Sequence, residues 1–527
     1  METSRNTNVE WFNVKDFGAI GDGSGDDTKF IQAAIDAAIA NNGGVVYFPP
    51  GTYPVAKEAM PGVVSAFSLS NVSNLVFLGD GPASTIKIKD GTYRGDFMTF
   101  RLLAGTTRIV FLNLRFDGNK ENISADEQTH SIEIFDADEI HIERCWFDNT
   151  FGDGVRILGK GAALVGGQPL DTADELIIRD CRFKNWRRSG IGCQRAFKQT
   201  RITDNLFETN SGDQAIDFEP TGATSPVEIV IDGNIIVHGT ETAAFTIGGI
   251  DFEHNQKFIV TNNLIINGSV FGLALQHFTF TNNVIVASAS GTRPALELIR
   301  HVTDGVIADN IIVSSSTIPA VPCVHITFNN GIAPSRLLLA RNVIRSLTTG
   351  INIVGANSMQ VIDNIIQTNE DDAQGVVGIQ FASTTEGFPV DNPVLRGNLI
   401  RNFQIGVQVA PIKHDIHNAD FSHNRLENCT KGFRFTGSNE GHSVLSPQIM
   451  GNIFDDVTTA FDMLDNTDYL VLGGVGPGSV SIFGGNDTPE GIVPAPVGSM
   501  FMRFDGIPGN TLYVKESGTG NTGWVAK

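Results

Sequence analysis

One asparagine recurs ten times after a short apolar segment, and this repeat strongly limits what the chain can fold into. Each asparagine follows an apolar residue by three positions, in segments such as RITDNLF and FIVTNNLII. Successive asparagines are 20 to 34 residues apart, which is typical of one coil of a β-solenoid whose loops differ in length. The repeat therefore predicts stacked coils. Its members are Asn205, Asn234, Asn263, Asn283, Asn310, Asn342, Asn364, Asn398, Asn424 and Asn452.

The same column extends towards the N-terminus with other side chains. The segment IVFLNLRF places Asn113 in it, and the segments IERCWF and IRDCRF place Cys145 and Cys181 there. Small side chains suit a tight inward corner, where stacked amides can hydrogen-bond from one coil to the next. We interpret this Asn ladder as structural rather than functional.

A second strand follows each ladder residue, and its third position should face outward. Segments such as AIDF, ALEL and GIQF alternate apolar and variable residues, so their second and fourth positions face the core. The third positions form an outward row, with neighbours about 4.8 Å apart when coils stack regularly. The outward row is Glu133, Arg156, Gly192, Asp217, Thr246, Ala274, Glu297, His325, Asn352, Gln380, Gln408, Arg434 and Asp462.

The N-terminal segment predicts a strand followed by an amphipathic helix from about Asp27 to Asn41. Asp26 or Asp27 can cap its start, and Gly43 with Gly44 ends it. A solenoid needs its open end covered, so we expect this helix to be the cap. Its apolar face comprises Phe30, Ile31, Ala34, Ile35, Ala38 and Ile39.

Charge and cysteine usage exclude several function classes. The net charge of -21 over 527 residues argues against nucleic acid or an anionic membrane as the partner, because both bind basic surfaces. The five cysteines have no CxxC spacing, so buried free thiols are expected rather than a zinc or disulfide site. No apolar run resembles a signal peptide or a membrane span. We therefore expect no membrane insertion, and a protein that either lost its leader or leaves the cell without one.

The segment NVKDFGAIGDGSGDDTKFIQAAIDAA, followed by GGVVYFPPGTYPV, resembles the start of the pectate-lyase-like superfamily. That superfamily includes polygalacturonases, pectate-lyase-3-type proteins and bacteriophage tailspikes. The resemblance implies an all-β, right-handed parallel β-helix with an N-terminal capping α-helix. The GDGSGDDT stretch lacks EF-hand spacing, so we interpret it as a capped turn rather than a calcium loop.

The C-terminal end, SMFMRF to GWVAK, resembles a small terminal β module of phage structural proteins. The predicted domains are residues 1–60 (strand and capping helix), 61–467 (β-helix) and 468–527 (C-terminal module). The likeness to phage spikes implies an extracellular or virion-associated homotrimer. The chain lacks the GHG and RIK motifs of polygalacturonases, so pectin chemistry is not supported.

The segment SGDQAIDFEP holds the predicted catalytic carboxylates. Asp217 lies in the outward row, and Glu219 points the same way two residues later. Glycoside cleavage needs one carboxylic acid and a second carboxylate that attacks or activates water, and two acids this close raise the pKa of one of them. Asp213 and Glu133 are the predicted replacements should one of the pair point away.

Neighbouring residues are predicted to bind the sugar. Gly192 lacks a side chain and should leave a notch above Asp217, and an exposed Trp186 should stack on a sugar ring. Arg187 and Arg188 should orient the substrate. The complete predicted binding set is Arg156, Trp186, Arg187, Arg188, Gln194, Asp153, Asp251 and Glu253.

The leading hypothesis is a depolymerase that hydrolyses a bacterial capsular or extracellular polysaccharide and needs no organic cofactor or metal. A lyase acting on a uronate polymer is the alternative enzyme, with an Arg, His or Lys as base and calcium as an optional cofactor. A non-catalytic saccharide-binding spike is the third hypothesis.

The acidic patch around Asp217 could also be a solvated ion network with Arg156, Arg187 or Arg188. Glu297, with Arg300 and His301 nearby, could form a second acidic site or could be an ordinary charged surface residue.

Overall fold

The computed structural model describes most of the chain, in two compact units. The first unit comprises residues 1–271 and 277–279, and the second comprises 272–276 and 280–527. The described residues are 9–56, 64–92, 97–125, 127–158, 175–193, 199–209, 213–218, 228–239, 243–248, 257–273, 275–288, 292–328, 333–368, 375–383, 389–436, 442, 444–445, 447–463, 470–473, 480–518 and 520–527.

Each unit is built from parallel strands stacked in three columns, which confirms the predicted right-handed parallel β-helix. Column A of the first unit contains Trp11–Asn13, Gly44–Phe48, Ser73–Gly79, Thr107–Leu112, Asp138–Glu143, Leu176–Arg179, Thr200–Thr203, Glu228–Asp232 and Lys257–Thr261. Column B contains Gly51–Val55, Ser84–Ile88, Arg115–Asp117, Trp146–Asp148, Arg182–Lys184, Leu206–Thr209, Ile235–His238 and Leu264–Ile266. Column C contains Ser65–Leu69, Phe97–Leu102, Thr129–Phe135, Val155–Leu158, Ile191–Cys193, Ile216–Phe218, Ala243–Gly248 and Ser269–Leu273.

The second unit repeats this arrangement. Its column A contains Thr279–Thr281, Thr303–Ala308, Ser335–Ala340, Gln360–Ile362, Val394–Arg396 and Asp420–Ser422. Its column B contains Val284–Ala287, Ile311–Ser314, Val343–Ser346, Ile365–Gln367 and Leu399–Arg401. Its column C contains Leu296–Ile299, Val324–Thr327, Thr349–Val354, Gly375–Ala382 and Phe403–Ala410, and two long strands, Arg425–Phe435 and Ile453–Met463, continue both columns.

Short strands pair outside the columns. Gly91–Thr92 pairs with Ile123–Ser124, and Val390–Asp391, Ile416–His417 and Val444–Leu445 form a three-stranded sheet. Near the C-terminus a five-stranded sheet has its own apolar core around Phe501 and Trp524, as the predicted terminal module requires. Its strands are Leu470–Gly473, Ile482–Gly485, Met500–Arg503, Leu512–Lys515 and Trp524–Ala526. The predicted domain limits at 60 and 467 stay a prediction.

The Asn ladder forms within each unit as predicted. Asn205 Nδ2 donates to Asn234 Oδ1 at 3.0 Å, and Asn234 Nδ2 donates to Asn263 Oδ1 at 2.9 Å. In the second unit the same contact links each asparagine from Asn283 to Asn452 to the next one. The amides also bond backbone groups of the corner, so the ladder satisfies polar groups that the coil buries.

The placement of Asn113 in the ladder is wrong by one position. Leu112 aligns with Glu143 in column A, so Leu114 aligns with Cys145 and takes the inward corner. Asn113 instead has φ 54°, in the left-handed region, as does Asp204 at the corresponding position before Asn205. Asparagine tolerates that conformation, so its presence there reflects the turn and not the ladder. The placement of Cys181 is confirmed, because its backbone N–H donates to Asn205 Oδ1 at 2.9 Å.

Aromatic side chains stack along the inside of column B. The rings of Phe116, Phe147, Phe183 and Phe207 lie nearly parallel, with centroids 4.7 to 5.1 Å apart. Parallel in-register strands place identical residues above one another, so one phenylalanine per coil produces a continuous stack. All five cysteines are buried free thiols, as expected.

The predicted helix spans Thr28–Ala40 and packs on the first strands of columns A and C. Its buried residues are Thr28, Ile31, Ala34, Ile35 and Ala38. Asp26 Oδ1 accepts from the Thr28 N–H and hydroxyl, whereas the Asp27 carboxylate bonds the N–H groups of Ile20 and Gly21. Two short 3-10 helices, Val14–Phe17 and Gly81–Ala83, complete the described helices. None of the described helices has the length and apolar composition needed to cross a membrane.

The GDGSGDDT stretch forms a tight turn. Asp22 Oδ1 accepts hydrogen bonds from the Ser24 N–H, the Ser24 hydroxyl and the Gly25 N–H. These bonds lower the pKa of Asp22. The carboxylate is thus a turn-capping group.

Candidate functional site

The outward row of column C exists in both units. In the first unit the strand register aligns Arg101, Glu133, Arg156, Gly192 and Asp217 in successive coils. In the second unit it aligns Glu297, His325, Asn352, Gln380, Gln408, Arg434 and Asp462. The order predicted from strand alternation is therefore observed for these residues, and the first unit concentrates the charged ones.

Glu133 lies under two arginines at the N-terminal end of the row. Its Oε1 is 2.6 Å from Arg101 Nε, and its Oε2 is 3.5 Å from Arg156 Nη1. The Glu133 side chain is 1% exposed, against 28% for Arg101 and 13% for Arg156. Glu133 thus lies in the outward row but is closed off from solvent, because the longer guanidinium side chains fold over it to form ion pairs.

Asp153 fills the notch that Gly192 was expected to leave. A Cβ added to Gly192 would lie 2.6 Å from Asp153 Oδ2, so the missing side chain makes room for this carboxylate rather than for substrate. Arg188 Nη1 donates to Asp153 Oδ2 at 2.8 Å. The Asp153 side chain is fully buried, and it lies in the row between Arg156 and Asp217.

Replacing Gly192 by Ala is expected to displace Asp153 and to lower the free energy of unfolding by about 1–3 kcal/mol. The added methyl group overlaps the carboxylate and breaks its short contact with Arg188. Thermal unfolding of the purified variant measures the change. Gly25→Ala is the matched control, since its new Cβ would meet its nearest atom, Ile20 Cδ1, at 3.9 Å. Equal stability of the two variants would contradict this packing.

His130 is a buried imidazole behind the row. Its Nδ1 accepts from the Asp153 N–H at 2.9 Å, and its Nε2 lies 3.4 Å from Gln128 Oε1 and 3.2 Å from Arg156 Nη1. Burial first, and then the charges of Arg156 and Arg188, hold the pKa of His130 well below its usual value. The ring is therefore neutral, and its Nδ1 is the acceptor for the Asp153 N–H.

This neutral imidazole predicts a pH dependence of stability. The unfolded chain protonates His130 near pH 6.5 and the folded protein does so only at lower pH, so its contribution is complete above about pH 6.5 and is lost as pH falls below it. A His130→Asn variant keeps an acceptor for the Asp153 N–H but does not titrate. Between pH 7.5 and 5, wild type should lose about 1–2 kcal/mol more unfolding free energy than the variant. Parallel pH profiles in denaturant titrations would refute the neutral imidazole.

Trp186 does not form the predicted sugar platform, because its side chain is only 1% exposed. The indole packs edge-on against Phe207, with ring centroids 6.2 Å apart, and its Nε1 donates to the Asp213 carbonyl at 3.3 Å. A large apolar ring with one satisfied N–H is stable in the interior. The exposed group of this turn is Arg187, whose guanidinium lies 4.8 Å from the ring centroid of Phe151.

Asp217 lies on the strand Ile216–Phe218 directly below Gly192, and its side chain is 4% exposed. Asp213 is exposed, and its main chain is bonded to Trp186 and Arg187. The predicted site residues Glu219, Gln194, Asp251 and Glu253 lie outside the described residues.

Sequence reasoning missed Arg101 and His130. Arg101 could have been found by extending the alternation one coil further, to FMTFRL, whose arginine aligns with Glu133. His130 carries no such signal, because its role depends on the turn that brings Asp153 onto its ring. In the part of the chain that the structure describes, no three His, Cys, Asp or Glu side chains converge on a possible metal position.

Comparison with known proteins supports the resemblance to the pectate-lyase-like superfamily. Residues 11–252 match the family model "Rhamnogalacturonase A/epimerase, pectate lyase-like". A tailspike protein of E. coli bacteriophage HK620, solved with a pentasaccharide, shares the fold, with a TM-score of 0.50 at 12% identity over 100% of this chain and 93% of that one.

Three proteins of Azotobacter vinelandii are similar in sequence over shorter stretches. Mannuronan C5-epimerase AlgE4 is 42% identical over 210 residues, which is 38% of this chain and 34% of that protein. Mannuronan C5-epimerase AlgE3 is 45% identical over 117 residues, 22% of this chain and 6% of that protein. Alginate lyase 7 is 43% identical over 116 residues, 21% of this chain and 13% of that protein. The chain thus covers about a third or less of each relative.

Proposed function

We propose that the protein is an enzyme that modifies a polysaccharide along the outward row of the first unit. The observation that carries this proposal is that arginine side chains lie on the outside of the row and cover buried carboxylates. Arg101, Arg156 and Arg188 are 13 to 28% exposed, whereas Glu133 and Asp153 beneath them are at most 1% exposed. The row therefore presents cations to solvent on a chain whose net charge is -21.

An outward layer of arginines favours the binding of an acidic polymer over a neutral one. Guanidinium groups bind carboxylates through paired hydrogen bonds, with a geometry that ammonium groups lack. The buried acids hold the arginines in position, because burying an ion pair is costly unless both partners are fixed. The substrate class is thus a uronate-bearing or otherwise anionic polysaccharide.

The reaction that the carboxylates favour is hydrolysis of a glycosidic bond. Asp217 is the proposed general acid or base, with Glu219 as the partner predicted from sequence. Asp153 is a positioning residue, since it is buried and touches Arg188 and His130. Arg156, Arg187 and Arg188 orient the polymer, and the row needs no organic cofactor for this chemistry.

Epimerisation or β-elimination at C5 of a uronate is the second candidate. The sequence similarity to mannuronan C5-epimerases and to an alginate lyase favours it. Both reactions begin with removal of the C5 proton, which is next to the carboxyl group. The guanidinium group of Arg101 or Arg156 would neutralise that carboxylate. Calcium stays an optional cofactor of this alternative.

A polymer panel in deuterium oxide separates the reactions. Wild-type protein is incubated with mannuronan, polygalacturonate and bacterial capsular polysaccharides, and chain length, ultraviolet absorbance and C5 deuterium are followed. Shortening without absorbance indicates hydrolysis, shortening with absorbance indicates a lyase, and deuterium at C5 without shortening indicates an epimerase. Binding without any chemical change would overturn the proposal in favour of a non-catalytic spike.

The place of action and the assembly are also proposals. An extracellular or virion-associated homotrimer agrees with the tailspike fold. Light scattering coupled to size-exclusion chromatography should then give three times the chain mass of 56.7 kDa, and a monomer mass would contradict the trimer.

A further inference from the structure

A cleft of about 530 Å³ opens on the first unit at the ends of its column B strands. That volume lies within the range of about 300–1,000 Å³ typical of ligand sites. The side chains that line it are mostly amide or charged, and it is separate from the outward row. The groups used below are Asn149, Lys184, Asn185, Glu208, His238 and Asn267.

Two of the lining groups are available to a ligand. Lys184 and Asn267 are both exposed, and neither makes a side-chain hydrogen bond or ion pair with the residues that the structure describes. Asn149 and Asn185 instead form the wall, since Asn185 Nδ2 donates to Asn149 Oδ1 at 2.8 Å and Lys120 Nζ donates to Asn185 Oδ1 at 2.8 Å. Glu208 pairs with Arg182.

Two stacked turns connect this cleft to the outward row. One turn begins at Asn149 and reaches Asp153, and the next begins at Asn185 and reaches Arg188. Three or four residues span at most about 11–14 Å, which is an upper limit on the distance between Asn149 in the cleft and Asp153 beside the row. The turns are tied together, because the Arg187 N–H donates to the Thr150 carbonyl at 3.0 Å and the Asp213 N–H donates to the Arg187 carbonyl at 3.1 Å.

The cleft floor is fixed to the same turns. His238 Nε2 lies 2.6 Å from the Asp213 carbonyl, and Trp186 Nε1 donates to that carbonyl from the other side. Asp213 is four residues before Asp217. A stretch of main chain that is hydrogen-bonded to the cleft at Asp213 therefore leads to the proposed catalytic carboxylate.

We propose that this cleft is a second saccharide subsite, which binds hydroxyl-bearing units of the polymer whose acidic unit lies on the outward row. The inference rests on the proposed function for the identity of the polymer. Amide and ammonium donors suit ring hydroxyl and carboxylate oxygens. Lys184 and Asn267 make the direct contacts, and the Asn149–Asn185 wall, whose amides bond to each other, to Lys120 and to Asp117, shapes the cleft beside them.

The test is a Lys184→Met, Asn267→Gly double variant. Asn267 has φ 58°, which glycine adopts without strain, so this variant removes two ligand groups and keeps the fold. The matched control is Lys87→Met with Asn42→Gly. Lys87 holds the same outward position of column B three coils earlier, and Asn42 is exposed with φ 61°.

The probe is an array of neutral and acidic oligosaccharides of two to eight units, oligomannuronates included. The double variant should bind the longer oligosaccharides about tenfold more weakly than wild type and bind the shortest ones equally. The control should match wild type throughout. Equal binding by the double variant, or no glycan bound by wild type, would overturn the subsite.

Failure of the proposed function has a different signature. An Asp217→Asn protein that still modifies polymer, while the double variant loses long-oligosaccharide binding, would move the catalytic site and leave the subsite intact. An inactive Asp217→Asn protein, together with unchanged binding by the double variant, would support the row and refute the cleft.

Discussion

An Asp217→Asn variant is expected to lose about 10²–10⁴-fold in kcat on the substrate polymer, which is the usual contribution of a positioned acid or base. Asparagine keeps the shape of the side chain but can neither give nor take the proton. Asp217 is the carboxylate of the row next to Gly192, and it is the proposed proton donor or acceptor although only 4% of its surface is exposed. Initial rates on the polymer identified by the panel measure the loss.

Asp180→Asn is the control for this substitution. Asp180 is an exposed turn residue of the same unit with φ 55°, a conformation that asparagine also adopts. We expect wild-type rates for the control and unchanged thermal unfolding for both proteins. If Asp217→Asn retained more than about a tenth of wild-type kcat, Asp217 would not be the general acid or base.

An Asn234→Ala variant is expected to lower the free energy of unfolding by about 3–5 kcal/mol. Asn234 Nδ2 donates to the Ile202 carbonyl at 2.9 Å and to Asn263 Oδ1 at 2.9 Å. Its Oδ1 accepts from both the backbone N–H and the amide of Asn205. The side chain is fully buried, so alanine leaves several polar groups without partners and without water.

Denaturant unfolding measures this loss, with Asn262→Gly as the control. Asn262 is the exposed neighbour of Asn263 in the ladder corner and has φ 55°, so glycine fits its backbone. The control should change stability by less than about 1 kcal/mol. Similar stability of Asn234→Ala and wild type would mean that the ladder contributes little.

The chain's local patterns predicted the fold closely. Strand alternation has a period of two, so the outward row from Glu133 to Asp217 follows from reading each strand alone. The ladder was found because ten coils repeat it. The prediction failed at Asn113, which is the left-handed residue of a turn and not a ladder residue. A single coil does not show which of these two roles an asparagine has.

The alignment of the row residues was predicted from the sequence, but the burial of the residues around them was not, and the catalytic site itself stays a prediction. Asp153, Arg188 and Asp217 do lie along one face, yet the sequence contains no sign that Asp153 occupies the space above Gly192. Trp186 was expected on the surface and lies in the interior. The exposure of a turn residue depends on how its turn packs against the turns above and below it, and those are 20 or more residues away in the chain.

The sequence by itself determined the coil repeat, the corner asparagines from Asn205 onwards and the row on which charge accumulates, because each depends on interactions between residues close in one strand or on a regular repeat. Tertiary structure alone decided which charges are exposed. Glu133 and Asp153 are buried because they form ion pairs with arginines of neighbouring coils, and the longer arginine side chains lie on the outside of each pair. The missing Cβ of Gly192 leaves the space that the Asp153 carboxylate occupies. The charge that the row presents to solvent is therefore a property of the stacked coils and not of any one of them.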